Sequence, residues 1–137
     1  MNYQDQDTFG MYNEQKEDGP GPQLMGANTL NGNDVRNRRG EDLGDIKEIM
    51  LDMHNGSVAY AVLSFGGFMG MGNKLFAVPW SALKLDTNNK CFVLDVEKDK
   101  LGKAPGFDKD HWPDMADAAW VQGVNSFYGQ TPRSAQR

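Results

Sequence analysis

The polar and apolar positions of this chain fall into two regimes. From residue 45 to residue 96 short apolar runs follow one another, broken by Asn, Asp and Gly, and this is the pattern of strands and turns. Residues 57–65 form the most apolar run, with Val58, Tyr60 and Val62 on one face and Ala59, Ala61, Leu63 and Phe65 on the other. A strand apolar on both faces must be covered on both. In residues 45–53 the alternation slips: Ile49, Leu51 and Met53 share a face, and Ile46 falls on the opposite one. A β-bulge near Lys47-Glu48 would return Ile46 to the core side, with Ile49, Leu51 and Met53 facing the core beside it. These two strands meet at Asn55-Gly56, a dipeptide of hairpin turns in which both central residues take positive φ.

Further strands are expected at residues 29–36, with Leu30 and Val35 inward, at 74–78, at 83–85 and at 91–96. Pro79 forces Val78 to be extended and opens a single turn that aims Trp80 and Leu83 at the mouth of the fold. The turn at residues 86–90 closes a second hairpin, loosely like the first. Beyond Val96 the period lengthens. Residues 97–101 suit a turn or short helix, and residues 113–124 a helix capped by Asp108 or Asp110, with Trp112, Met115, Trp120, Val121 and Val124 as its apolar stripe.

Gly40-Glu41-Asp42-Leu43-Gly44-Asp45-Ile46, Asn55-Gly56, the 58–62 run, Gly66-Gly67-Phe68 and Ala77-Val78-Pro79-Trp80, in that order, resemble the PRC-barrel family. The likeness covers roughly residues 28–96. That family's barrel occurs in the cytoplasmic part of the purple-bacterial reaction-centre H subunit, in a ribosome-maturation factor and in short stand-alone proteins. The resemblance implies an all-β fold, a small SH3-like barrel of about six strands used for docking, and it implies no reaction. Residues 28–104 are then the barrel and residues 105–128 a loop and helix packed on it. Gly44, Gly56, Tyr60, Gly67, Pro79 and Trp80 are its expected structural anchors.

Composition changes the picture at the ends. Residues 1–27 are rich in Asn, Gln, Asp, Glu and Gly, and with residues 129–137 they bury too little apolar surface to offset ordering entropy, so both are expected to be disordered. Mean hydropathy of −0.64 agrees with an ordered centre and polar ends. A net charge of −5 argues against a general nucleic-acid binder, whose footprint is a basic face. The one basic cluster, Arg36 to Arg39, reads as a solvated turn. No secretory signal or spanning helix is expected, and a cytoplasmic location follows as the default.

Chemistry-bearing constellations are scarce. Gly67 and Gly72 have the spacing of a phosphate loop, but Asn73 stands where its Lys belongs and a strand follows, so no nucleotide site is expected. His54 and His111 lack further ligands in their neighbourhood, Cys91 reads as a buried small hydrophobe, and no serine has an activated setting. No catalytic residue, metal or cofactor is assigned. The candidate contact surface is Phe68, Met69 and Met71 on the glycine loop with Trp112 and Trp120 on the helix.

The resulting expectation is a non-enzymatic protein-docking module. A homodimer is expected to bury the outer face of the 57–65 strand together with the helix. The rival is that the helix folds back over that strand within one chain. A small-ligand- or ion-responsive regulator using residues 66–73, and an assembly factor docking on a ribosomal protein, are the alternative functions.

Overall fold

The computed structural model describes residues 2–3, 25–65 and 74–130. Six strands form one curled sheet: β1 (Asp34–Arg36), β2 (Asp42–Asp52), β3 (Ser57–Phe65), β4 (Lys74–Pro79), β5 (Leu83–Asp86) and β6 (Cys91–Leu94), in the order β4-β3-β2-β1-β6-β5. Neighbours are antiparallel except β1 and β6, which run parallel through Val35 opposite Phe92. The all-β expectation holds. Among the described residues three short α-helices accompany the sheet: α1 (Ala27–Leu30), α2 (Lys98–Leu101) and α3 (Ala118–Phe127).

The bulge in β2 lies where the alternation slips. Its register shifts between Ile46 and Glu48, and Ile46 is buried in the core. A second shift, between Met50 and Leu51, was not anticipated and undoes the expected core face. Leu51 is 54% exposed and Met53 86%, while Ile49 is half-buried. Two bulges in one strand turn its far half off the face that period-two counting assigns to it.

At the start of the sheet, the expected strand over residues 29–36 is instead α1 followed by the three-residue β1. Asn33 decides this. Its side-chain amide donates to the carbonyls of Thr29 and Leu30, tying the end of α1, and its own carbonyl accepts the Ile46 N–H at 2.9 Å. Asn37 organises the next turn: its side-chain oxygen accepts from the Arg39 and Glu41 amides, and its Nδ2 donates to the Val96 carbonyl. Arg38 and Arg39 then meet Asp95 and Glu97 as exposed ion pairs, in keeping with a solvated turn.

Gly44 marks the closest approach of two strands. It has φ 109°, and a Cβ there would sit 2.2 Å from the Ser64 carbonyl oxygen. Only glycine fits. At the hairpin tip Gly56 has φ 75°, but Asn55 is not left-handed, so the expected pair of positive φ values is not found. The Gly56 amide instead reaches back to the Asp52 carbonyl at 2.8 Å, closing a longer turn.

The C-terminal helix starts later than its composition suggests. Asp117, rather than Asp108 or Asp110, caps it by accepting the Trp120 N–H. Residues 113–117 form turns instead, with Asp114 accepting from the Ala116 amide. The helix also runs past Asn125, because the Asn125 amide is buried and donates to the Val121 carbonyl and the Tyr60 hydroxyl. Gly129 and Gln130 close it, with Gln130 N–H on the Asn125 carbonyl and Gly129 N–H on the Ser126 carbonyl, so this pair belongs to the helix end and not to a frayed tail. Tyr3, likewise placed in a disordered segment, is buried and donates its amide to the Lys90 carbonyl at 2.9 Å. Residues 4–24, 66–73 and 131–137 lie outside the described residues, and with them Gly67 and most of the expected disorder.

Candidate interaction surface

Apolar side chains left in water are the informative feature of this fold, and they gather on β2. Among the described residues, β2 is flanked on both sides only as far as Ile46: β1 pairs with residues 42–45, and Gly32 and Asn33 pair with Ile46. Beyond that point only β3 pairs with it. Past Ile46 the β2 edge is therefore open, while β4 still flanks β3 as far as Tyr60, and only the tip, residues 51–58, is a two-stranded ribbon. On this ribbon stand Leu51 and Met53, the two most exposed large hydrophobic residues described, with half-buried Ile49 and Val58 beside them. The Ile49 N–H is accepted by the Glu48 carboxylate at 3.0 Å. A charged side chain thus occupies an amide of the open edge, a usual way of blunting a strand against unwanted pairing.

The residues chosen from the sequence fare differently. Trp120 is half-buried, with its ring edge-on to Tyr60 at 5.4 Å, so it serves the inside of the chain. Trp112 is outside the helix and 42% exposed, packed on Phe107 at 5.0 Å, with its indole N–H donating to the Lys109 carbonyl. Phe107 in turn pairs with Leu75 and covers part of the outer edge of β4. Phe68, Met69 and Met71 lie outside the described residues. Sequence reasoning missed Leu51 and Met53, which it sent to the core. The proximity of Met53 to the turn was the one signal of exposure available.

Of the anchors, Tyr60 is buried under α3, and Pro79 ends β4 opposite it. Trp80 sits half-buried in a 3-10 turn (Trp80–Ala82), tilted on Phe92 at 5.7 Å. Among the described residues no three His, Cys, Asp or Glu side chains come together as a metal-holding group. His111 pairs only with Asp108, both exposed. Burial is the main influence raising the Cys91 thiol above its usual range, which makes it a poor nucleophile.

The PRC-barrel domain model matches residues 22–101, more than half of the chain. This chain belongs to the PRC-barrel family. PRC-barrel domains serve in protein interaction and assembly and are generally non-catalytic. The match ends with α2, so α3 and its cover over Tyr60 lie outside the PRC-barrel span. No curated protein matches the chain. No helix among the described residues is long and apolar enough to cross a membrane.

Proposed function

We propose that this PRC-barrel chain is a non-catalytic docking module whose contact surface is the free half of the β2–β3 hairpin. The observation that carries the reading is the exposure of Leu51 and Met53 at the tip of a hairpin whose β2 edge is open past Ile46. The fitting occupant is an extended segment of a partner protein. It adds its backbone to the edge of β2 and lays alternate apolar side chains against Leu51 and Met53, the mode in which the main chain gives affinity and side chains give choice. Glu48 must release the Ile49 amide when such a strand arrives, which disfavours casual pairing.

Self-association is a special case in which the partner segment comes from a second copy. The route through β3 and the helix has lost one premise, since α3 covers Tyr60 within the chain through Trp120 and Asn125. The hairpin edge is the surface left for it. Affinity capture from the native cell, with the parent and with Leu51→Asp/Met53→Asp, tests the proposal, and light scattering of both reads self-association. The double variant keeps the parent's melting temperature and loses the captured partner. Capture of the same proteins by both forms would show that docking uses another surface.

A further inference from the structure

Among the described residues, β2 offers a short open edge between the bulge at Lys47 and its end at Asp52, and the ladder decides which groups face it. The Asp52 carbonyl turns inward and accepts the Gly56 N–H at 2.8 Å, whereas the Ile49 N–H meets the Glu48 carboxylate at 3.0 Å. In an antiparallel ladder successive residues bond to opposite sides, so Leu51 faces the open edge together with Ile49. An added strand must reach the backbone of these two. Glu48 and Asp52 flank them, one on each side, and both are carboxylates. Glu48 is exposed and Asp52 half-buried, its carboxylate also accepting the His54 N–H. Lys47 has no residue of β3 opposite it and sits on the bulge, one step outside this window.

Residues directly opposite in an antiparallel pair interact, unlike charges favourably and like charges unfavourably. A segment laid on Ile49 and Leu51 sets two of its own side chains, four positions apart, opposite Glu48 and Asp52. The residues just inside them meet Ile49 and Leu51. Resting on the docking reading above, we infer that the partner is an extended segment of the pattern basic–apolar–X–apolar–basic, its two cations paired with Glu48 and Asp52. A cation opposite Glu48 also draws that carboxylate off the Ile49 amide, which the incoming backbone then takes. The same bracketing acts against a second copy. A two-fold pairing centred on Met50 sets Ile49 against Leu51 of the other copy, but it also sets Glu48 against Asp52, twice. Centring on Ile49 puts Leu51 opposite Lys47 in the bulge, and centring on Leu51 puts Ile49 opposite Met53, beyond the strand end. The edge thus admits a basic strand and repels its own.

The test titrates two peptides into the full chain at low ionic strength while backbone amide resonances are followed. One is Ser-Gly-Lys-Val-Thr-Val-Lys-Gly-Ser, and the other has Glu in place of each Lys. The Lys peptide is expected to bind saturably in the range of about 1 mM and to shift the Ile49 and Leu51 amides. The Glu peptide binds about tenfold more weakly, because two charge pairs change sign. Glu48 is exposed, so Glu48→Lys keeps the fold. That variant is expected to bind the two peptides within about twofold of each other, since one favourable and one unfavourable pair remain for each. It also makes both flanking pairs of the Met50-centred register unlike, and light scattering should show more dimer than for the parent. Equal binding of the two peptides to the parent overturns the inference and leaves the docking edge standing. So does a Glu48→Lys variant that keeps the parent's preference, or Lys-peptide binding without shifts at Ile49 and Leu51. Binding of neither peptide overturns it as well, and the capture experiment with Leu51→Asp/Met53→Asp then judges the docking reading separately.

Discussion

The two hairpins of this chain close with the same turn and come to different ends. Each joins its strands by four residues, 53–56 after Asp52 and 87–90 after Asp86. In each the opening Asp carboxylate accepts an amide two residues on, that of His54 or that of Asn88. In each the fourth residue is left-handed: Gly56 at φ 75° and Lys90 at φ 57°. The short hairpin is tucked in, with Cys91, Phe92 and Leu94 buried and the Tyr3 amide resting on Lys90. The long one overshoots its neighbours and carries Leu51 and Met53 into water. A turn therefore fixes which strands pair but not what they are for. The length of strand beyond the last neighbour decides how much of the hairpin is left in water.

The comparison breaks most severely at the base of the long hairpin. Gly44→Ala places a Cβ against the Ser64 carbonyl at a backbone angle that side chains avoid, and is expected to cost about 3–5 kcal/mol by urea denaturation. A loss under 1 kcal/mol, about one ordinary substitution, would mean that β2 and β3 can separate there cheaply. Next comes Trp80→Ala at the base of the short hairpin. Trp80 is half-buried on Phe92, so the expected loss is about 2–3 kcal/mol, below the ~3–5 of a fully buried aromatic.

Exchanging the turn residues sharpens the likeness. Gly56→Ala forces a side chain into the left-handed region and should cost about 1–2 kcal/mol. Lys90→Gly relieves the same strain in the short hairpin, and should raise stability by about 0.5 kcal/mol after the greater freedom of glycine in the unfolded chain is counted. Opposite signs in thermal melts support equivalent turns. A destabilised Lys90→Gly would show that the two turns are alike only in outline.

The smallest effect is a pH dependence. Burial pushes the Asp86 carboxyl up, but hydrogen bonds from the Asn89 side chain and from the Asn89 and Asn88 amides outweigh it and hold it below its usual range. A carboxyl with a depressed folded-state pKa stabilises above its unfolded value, near pH ~4, and loses that contribution as pH falls through the folded value. Below about pH 4 the parent should therefore lose stability faster than Asp86→Asn. Parallel acid limbs for the two would remove the turn carboxylate from the balance.

Much of the sheet was determined by local sequence. The spans of β3 and β4, the bulge that recovers Ile46 and the two hairpins follow from alternation and turn residues, because those signals act within a few positions of themselves. Pro79 and the residues around it likewise set a turn by their own backbone limits. What only the tertiary structure decided depends on partners far away along the chain. Asn33 turned an expected strand into α1 by bonding to carbonyls before it and to Ile46 after it. Asn125 carried α3 onward because its amide reaches Tyr60. A second bulge and the late start of β1 left Leu51 and Met53 outside, although their spacing is that of a core face. Hydrophobic spacing says which side chains share a face, whereas burial of that face depends on whether another element arrives to cover it.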